Sequence, residues 1–262
     1  MSDPRVAIVT GAGTGIGQAI ALELAGTGIR TLIVGRREAP LAETVARGAA
    51  ANPIAAISAD ITDAADRERI VALALERFGR VDILVNNAGV SSIEPLFSAS
   101  EAEWRRVMAT NVDAAFFMAQ AVLPGMRERA FGRIVNIGSV YGVLGLNPAL
   151  YDSFTEVGTL GPKRQPGYHT SKGAILNLTR DLAAAVGRWG VTVNTISPGM
   201  VITEQSEGLI SDEVIRKLSD MTPVGRFGKP EEIAHAVAFL VSDRAAFITG
   251  EELRVDGGWT IW

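Results

Sequence analysis

Val6-Ala-Ile-Val-Thr10 runs directly into Gly11-Ala-Gly-Thr-Gly-Ile-Gly17, and this is the strongest structural signal in the chain. The first five residues form a short apolar run typical of a buried strand, and the glycine turn opens a segment with helical periodicity. Its four glycines allow positive φ angles and close backbone approach. The helix start offers free N–H groups to an anion, so the stretch predicts a phosphate-binding strand–turn–helix. The spacing is G-x-x-x-G-x-G rather than G-x-G-x-x-G, and a tight connection without a ligand is the alternative.

Beyond this turn, short apolar runs alternate with helical patterns, and no repeat or linker divides the chain. The predicted strands are Val6–Thr10, Thr31–Gly35, Ile54–Ser58, Ile83–Asn86, Arg133–Ile137, Thr192–Ile196 and Glu252–Val255. The predicted helices are Gly15–Ala25, Pro40–Ala50, Ala64–Phe78, Glu101–Arg129, Tyr168–Arg188 and Glu231–Ser242. Strands separated by helices imply right-handed crossovers and a sheet covered on both faces. We therefore predict an α/β fold, with one doubly wound parallel sheet of about seven strands in a single domain, residues 1–262.

The composition limits the classes of ligand and partner. The net charge of −4 and the pI of about 5.4 leave no basic field for nucleic acid or an anionic membrane. The absence of cysteine excludes disulfides and thiolate chemistry, and two distant histidines, His169 and His235, suggest no metal site. No basic segment with a cleavable apolar run precedes Val6, so we expect no signal peptide and a cytoplasmic protein.

A second signal is the pair Tyr168 and Lys172, in Tyr168-His-Thr-Ser-Lys172. Positions i and i+4 of a helix share one face, so the lysine ammonium can sit beside the phenol. A tyrosine ordinarily titrates near pH ~10, and a neighbouring cation lowers the pKa by favouring the phenolate. We therefore expect Tyr168 to exchange a proton with a substrate near neutral pH. A surface tyrosine beside a solvated lysine is the alternative.

Taken in order, these and several weaker motifs resemble those of the short-chain dehydrogenase/reductase family, in its single-domain branch with TGxxxGxG and YxxxK signatures. The similarity runs from Val6 to about Gly258, nearly the whole chain. The motifs are Thr10–Gly17, Asp60-Ile61, Asn86-Asn-Ala-Gly89, Asn111, Ser139, Tyr168-x-x-x-Lys172, Pro198-Gly199 and Val255-Asp-Gly-Gly258. The resemblance implies a Rossmann-type domain, a nicotinamide cofactor and reversible oxidation of an alcohol to a ketone or aldehyde.

The resemblance also implies roles for four catalytic residues. Tyr168 would be the general acid in reduction and the base in oxidation, and Lys172 would lower its pKa and hold the nicotinamide ribose. Ser139 would hydrogen-bond the substrate oxygen. Asn111 would support a water and helix arrangement behind Lys172, through which protons reach solvent. The simpler alternatives are a turn serine for Ser139 and a buried amide satisfied by the backbone for Asn111.

The same resemblance implies a cofactor site around the glycine turn and the strand ends. Its residues would be Gly11, Gly13, Thr14, Gly15, Ile16, Gly17, Arg36, Arg37, Asp60, Ile61, Asn87, Ala88, Gly89, Tyr168, Lys172, Pro198, Gly199 and Thr203. Gly35 stands where NAD-binding members usually carry an acidic residue. Arg36 or Arg37 could clamp a 2′-phosphate, so NADP(H) is favoured, and NAD(H) stays possible because Glu38 could reach a ribose. Asp60 would lie at the adenine, unless it caps the next helix.

The separation of Ser139 from Tyr168, 29 residues, is longer than is usual in this family. Tyr151 is closer to Ser139, but no cation follows it four residues later, which favours Tyr168 as the catalytic tyrosine. We therefore expect an insertion at about 146–166, next to the active site, that shapes or covers the substrate pocket. The candidate residues for that role are Tyr151, Phe154 and Leu160. An oligomer contact or a mobile surface loop is the alternative.

Together the patterns predict an oxidoreductase that transfers a hydride reversibly between NADP(H) or NAD(H) and an alcohol or carbonyl substrate. A sugar-like or small hydroxy substrate is favoured because the insertion could enclose a compact pocket; a 3-oxoacyl thioester is the alternative. The alternative classes are a non-catalytic NAD(P)-binding sensor or scaffold and a sugar-nucleotide epimerase or dehydratase. The segment from Thr203 to about Met221 would form a flexible lid. The apolar tail Trp259–Trp262 would pack against a neighbouring subunit in a dimer or tetramer.

Overall fold

The structure is a computed structural model that describes residues 4–48, 54–150, 158–203 and 211–262. Within these residues the strands are β1 (Val6–Thr10), β2 (Arg30–Gly35), β3 (Ile54–Ser58), β4 (Ile83–Asn86), β5 (Glu94–Pro95), β6 (Gly132–Ile137), β7 (Lys163–Arg164), β8 (Val191–Pro198) and β9 (Glu252–Val255). The helices are α1 (Gly15–Gly26), α2 (Glu38–Gly48), α3 (Ala64–Phe78), α4 (Glu101–Met108), α5 (Ala114–Glu128), α6 (Pro166–Val186), α7 (Asp212–Asp220) and α8 (Pro230–Val241).

Seven strands form one parallel sheet in the order β3-β2-β1-β4-β6-β8-β9. This confirms the predicted doubly wound sheet, including all seven strands expected from the sequence. The strand order reverses between β1 and β4, where Ala7 pairs with Ile83. Ligands of open parallel sheets bind outside the carboxyl ends of the strands at such a reversal. The glycine turn after β1 and the Asn86–Gly89 segment after β4 both leave the sheet at this point.

Two apolar clusters cover the two faces of the sheet. The first includes Ile20 and Leu24 of α1 and Val237 of α8, and the second includes Met118 of α5 and Val186 of α6. Central strands such as β1 are buried along their whole length, as expected for strands covered on both faces. The sheet therefore has little freedom to move, and it holds the strand ends at fixed separations.

A third, smaller cluster lies away from the faces of the sheet. Its buried residues are Val140, Leu150, Leu218, Phe227 and Trp259. Leu218 belongs to α7, the described part of the segment predicted to be a lid, while Trp259 belongs to the C-terminal tail. Trp259 is therefore packed within its own chain, and the expected contact of the tail with a neighbouring subunit stays a prediction for Ile261 and Trp262. Ile261 and Trp262 remain largely exposed.

The predicted helix Glu101–Arg129 is interrupted. A π-helical segment, Ala109–Asp113, separates α4 from α5 and contains the buried Asn111. The apolar periodicity continues across the interruption, so a reading of periodicity alone cannot detect it. Such π turns often occur at functional sites. Here the Asn111 amide hydrogen-bonds to Val90 and Ser171, which lie outside this helix, and these bonds account for the interruption.

By length and composition alone, one helical segment of the described chain, Glu101–Glu128, could cross a membrane. Buried helices of folded proteins meet the same criterion. Here Ala114, Met118 and Met126 are fully buried in the second cluster, and the first two turns carry four charged residues. The apolar composition of this segment is accounted for by its packing on the sheet.

A small two-stranded ribbon and helix α7 were not predicted from the sequence. The two-residue strands β5 and β7 form a separate antiparallel ribbon in which Glu94 pairs with Arg164. Leu96 N–H also donates to Pro162 O at 3.0 Å. The ribbon thus joins the C-terminal part of the insertion to the segment that follows β4. Helix α7 is capped by Ser211, whose hydroxyl accepts from Val214 N–H.

Candidate active site

The glycine turn is held tightly against the exit of β4. Gly11 has φ +65°, and a Cβ atom there would lie 2.8 Å from Ala88 Cα. A Cβ atom on Gly17 would overlap Asn87 Nδ2 and Gly11 O. The Asn87 amide donates to Thr10 O at 2.9 Å and to Gly11 O at 3.0 Å. Glycine is therefore required at 11 and 17 for close approach, and at 11 also for its backbone conformation.

A cleft of about 560 Å³ opens above this turn at the strand-order reversal. Fourteen of the eighteen predicted cofactor residues line it: Gly11, Gly13, Thr14, Gly15, Ile16, Gly17, Arg36, Arg37, Asp60, Ile61, Asn87, Ala88, Gly89 and Thr203. The cleft is lined by residues from Arg36 to Gly89, and the glycines of the turn let backbone N–H groups approach a pyrophosphate closely. These residues fit a dinucleotide.

Four predicted cofactor residues do not line this cleft. Tyr168 and Lys172 lie beyond its Gly89 end, and Pro198 and Gly199 lie at the end of β8. Gly199 N–H donates to Val255 O at 3.0 Å, and a Cβ atom on Gly199 would lie 2.6 Å from Asp256 Cα. The structure thus gives Gly199 a packing role, and its predicted cofactor contact stays a prediction.

Asp60 and Arg36 lie together at the opposite end of the cleft. Burial raises the pKa of Asp60, but hydrogen bonds from Thr62 and the charge of Arg36 outweigh it, so the net pKa is lowered. The N-cap of α3 is Asp63, whose carboxylate accepts from Asp66 N–H. The alternative of Asp60 as that cap is therefore wrong, and its carboxylate remains at the cleft.

Helix α6 carries the Tyr168–Lys172 pair on one face. The Lys172 ammonium donates to Ile137 O at 2.7 Å and lies 5.6 Å from the centre of the Tyr168 ring. The lysine is buried, which lowers its pKa to about 8. A Cβ atom on Gly89 would be 3.6 Å from Lys172 Nζ, so the ammonium lies next to the end of the cleft.

Tyr168 differs from expectation in one respect. Burial raises the pKa of the Tyr168 phenol, and a hydrogen bond with the Ser139 side chain offsets this in part. The net lowering of the Tyr168 pKa expected from the sequence is not found, because desolvation of the phenol outweighs the hydrogen bond that favours its phenolate. The phenol is therefore protonated at neutral pH and ready to donate to an oxygen near Ser139.

Ser139 lies two residues after the end of β6 and caps a short 3-10 turn. Its hydroxyl accepts from Tyr141 N–H at 3.1 Å, and Gly142 N–H donates to Ser139 O at 2.8 Å. The Ser139 hydroxyl therefore stabilises the turn, as the simpler alternative predicted. The same side chain also hydrogen-bonds Tyr168. The structural and the catalytic interpretations of Ser139 are thus compatible.

Asn111 joins α6 to the loop after β4. Its Oδ1 accepts from Val90 N–H at 2.8 Å, and its Nδ2 donates to Val90 O and Ser171 Oγ, both at 2.9 Å. Ser171 Oγ in turn donates to Tyr168 O at 2.7 Å. Ser171 was not predicted to be a site residue. It lies inside the Tyr168–Lys172 motif, and this position is the one feature of the sequence that indicates its role.

A buried polar chain lies beneath the site. Asn86 donates to Ala115 O and to Asn136 Oδ1, Asn136 donates to Thr179 Oγ1, and the hydroxyls of Thr179 and Thr195 are 2.7 Å apart. These bonds tie β4, β6 and β8 to the helices that cover them. They hold the strand ends in register below Ser139.

Tyr151 and Phe154 lie outside the described residues. Leu160, at the end of a short 3-10 turn, is partly exposed. Among the residues that the structure describes, no group of His, Asp or Glu side chains could hold a metal ion.

Known proteins match this chain over nearly its full length. A family model described as Enoyl-(Acyl carrier protein) reductase matches residues 11–260. Galactitol 2-dehydrogenase (L-tagatose-forming) of Cereibacter sphaeroides is 40% identical, over 99% of this chain and 96% of that protein. The 3-oxoacyl-[acyl-carrier-protein] reductase FabG of Vibrio cholerae is 38% identical, over 97% and 96%. The chain belongs to the short-chain dehydrogenase/reductase family.

This short-chain dehydrogenase/reductase is an oxidoreductase that acts on CH–OH groups or the corresponding carbonyls. Among solved structures it is similar to a variant of actinorhodin polyketide ketoreductase with NADPH, at 32% identity and a TM-score of 0.87. The match covers 99% of this chain and 98% of the other. The family uses a nicotinamide cofactor, which agrees with the cleft described above.

Proposed function

We propose that this enzyme is a cytoplasmic NADP(H)-preferring oxidoreductase that interconverts a secondary alcohol and a ketone in a sugar-like or small hydroxy substrate. The single domain would provide both the cofactor cleft and the catalytic residues. The observation that carries the proposal is the convergence of Asn111, Ser139, Tyr168 and Lys172 at the Gly89 end of the cleft. The similarity to galactitol 2-dehydrogenase supports the polyol class.

The residues can perform the proton chemistry in place. Ser139 and Tyr168 present two hydroxyls that share a hydrogen bond, and a substrate carbonyl oxygen between them would accept from both. In reduction the Tyr168 phenol donates its proton to that oxygen. The nicotinamide, when bound, supplies the hydride. Lys172 holds a positive charge beside the phenolate that remains, because its pKa of about 8 leaves it mostly protonated at neutral pH.

The direct test is turnover of a polyol and ketose panel, followed as NADPH formation or consumption, in the wild-type enzyme and in Tyr168→Phe. We expect activity in the wild type and a loss of at least about 100-fold in the variant, since the ring is kept and only the phenolic hydroxyl that donates the proton is removed. Cofactor binding should be retained by the variant. Cofactor binding without turnover of any carbonyl by the wild type would instead favour the sensor or scaffold class.

A 3-oxoacyl thioester is the second candidate substrate, since reductases of 3-oxoacyl-carrier protein are 38% identical to this chain. The two candidates differ in the size and polarity of the substrate. A higher kcat/KM for a 3-oxoacyl thioester than for every polyol and ketose in the panel would replace the first proposal by this one.

The preference for NADP(H) follows from the charges at the Arg36 end of the cleft. Arg36 and Arg37 line the cleft, and position 35 is a glycine rather than an acidic residue. The similar ketoreductase structure contains NADPH. Asp60 neutralises part of this charge, because its carboxylate lies close to Arg36. We expect a lower KM for NADPH than for NADH, and a reversed preference in Arg36→Asp. An NADH preference in the wild type would contradict the proposal.

A further inference from the structure

Tyr141 and His169 stack face to face beside the catalytic residues. Their ring centres are 4.8 Å apart and the ring planes differ by only 2°. Tyr141 belongs to the turn that begins at Ser139, and His169 directly follows Tyr168 in α6. The stack therefore connects the segment carrying one catalytic hydroxyl to the helix carrying the other.

The imidazole is placed for this contact rather than for hydrogen bonding. His169 Nε2 is buried, and within the described chain it has no hydrogen-bond partner. Burial lowers the pKa of His169, so the ring is neutral at physiological pH and lies against the phenol ring without a charge. Parallel, offset aromatic contact of this kind is stabilising beyond the burial of area.

The turn also packs closely on α6 through Gly142. A Cβ atom on Gly142 would lie 2.8 Å from Lys172 O, so the turn approaches α6 as closely as glycine permits. On its other side Tyr141 packs against the third cluster, which includes Leu218 of α7. The hydrogen bonds of Asn111 and Ser171 fix α6 to the loop after β4, but they do not reach the Ser139 turn.

We propose that Tyr141 and His169 are a positioning pair that sets the separation of the Ser139 and Tyr168 hydroxyls. This inference rests on the proposed function, in which both hydroxyls hold the substrate oxygen. Gly142 and the Lys172–Ile137 hydrogen bond still hold the turn on α6 when either ring is lost. Without the stack the turn can tilt about these contacts, and the two hydroxyls then no longer meet one oxygen together. Shifts of about 1 Å between catalytic groups can lower turnover by up to ~100-fold.

The experiment compares five variants. His169→Ser and Tyr141→Leu each remove one ring, and the double variant removes both. His169→Phe and Tyr141→Phe keep the flat contact while removing the imidazole nitrogens and the phenol hydroxyl, respectively. For each we would measure kcat at saturating substrate, KM for both substrates, the dissociation constant of NADPH and the melting temperature.

We expect each ring-removing variant to lose about 10-fold in kcat while the NADPH dissociation constant stays within about twofold, since the cleft is not lined by these residues. The double variant should also lose about 10-fold rather than 100-fold, because the pair acts as a unit. His169→Phe and Tyr141→Phe should restore most of the wild-type kcat.

Unchanged kcat in His169→Ser, additive losses in the double variant, or failure of His169→Phe to restore kcat would each overturn the positioning role. If the double variant does not fold, the comparison of His169→Ser with His169→Phe decides. Failure of the proposed function itself is seen separately, as a wild-type enzyme without turnover or a Tyr168→Phe variant with full activity.

Discussion

The Lys172 side chain holds its ammonium where burial opposes the charge. Its pKa is lowered from 10.5 to about 8, and a hydrogen bond to Ile137 O compensates in part for lost hydration. In the unfolded chain the same amine is fully hydrated. Between pH 8 and 10.5 the unfolded state therefore binds more protons than the folded state, so the free energy of unfolding rises with pH in this range. Below pH 8 the buried charge lowers the free energy of unfolding by its full amount.

The variant Lys172→Met should lower turnover and raise the free energy of unfolding. At pH 7 we expect turnover to fall by about 100-fold or more, since the charge beside the Tyr168 phenolate is lost. The free energy of unfolding should rise by about 1–3 kcal/mol at pH 7, because a desolvated ammonium is replaced by an apolar group of similar length. This gain should shrink as the pH rises from 8 to 10.5. Urea unfolding at pH 7 and pH 9.5 measures it.

Lys217→Met is the matched control, because Lys217 is an exposed lysine on α7. It should leave both turnover and the pH dependence of stability near those of the wild type. A Lys172→Met enzyme with normal turnover would refute the catalytic assignment. A stability difference that does not change with pH would refute the burial argument alone.

The insertion contributes an element of its own to the molecule. Its last residues form β7, which pairs with β5 directly after the Asn86–Gly89 segment. A Cβ atom on Gly161 would lie 3.1 Å from the Phe97 ring, so the 3-10 turn before it also rests on the β5 side. The insertion is thus attached to the loop that leaves the cofactor cleft, although none of its described residues lines that cleft.

We predict that replacing residues 147–160 with a short Gly-Ser linker raises the KM for the best polyol or ketose substrate by about 10-fold. The KM for the cofactor should not change, because the cleft is lined by other residues. Keeping residues 161–166 preserves the ribbon and the start of α6. Leu160→Ser is the single-substitution comparison, since it changes only the 3-10 turn at the end of the replaced segment. Equal substrate KM values across the panel would refute a role of the insertion in the substrate pocket.

At the scale of the molecule, the described residues include an apolar groove and several exposed apolar side chains near the C-terminus. A groove of about 640 Å³ lies between α5 and α6, with Leu123, Leu182 and Trp189 in its walls. Separately, Phe247 is fully exposed, and Ile261 and Trp262 are largely exposed. Exposed apolar patches of this kind mark interfaces between proteins. We propose that both surfaces are covered by other copies of this chain, in a tetramer.

The tetramer should dissociate in two independent steps. Ala185→Glu places a charge in the groove, and Trp262→Asp places one in the tail, so each variant should form dimers. The double variant should be a monomer of 27.7 kDa by light scattering. Leu75→Glu, at an exposed leucine on α3, is the control and should stay tetrameric. A monomeric wild type at micromolar concentration would contradict the proposal.

Local patterns in the sequence were sufficient for the seven strands of the sheet and for most helices, because apolar periodicity and the glycine turn act over a few residues. The family resemblance then predicted that the Tyr168–Lys172 pair lies at the cofactor site beside the glycine turn. The helix interruption at Ala109–Asp113 could not be predicted, since it depends on Val90 and Ser171, which are distant in sequence from Asn111.

By itself the sequence determined a parallel doubly wound sheet, a glycine turn at its first strand, and a tyrosine and lysine on one helix face. The tertiary structure alone decided the raised pKa of Tyr168, the burial of Trp259 within its own chain, and the stacking of Tyr141 on His169. The physical reason is that desolvation and ring contact depend on which distant segments meet, whereas helix and strand periodicity depend on neighbours along the chain.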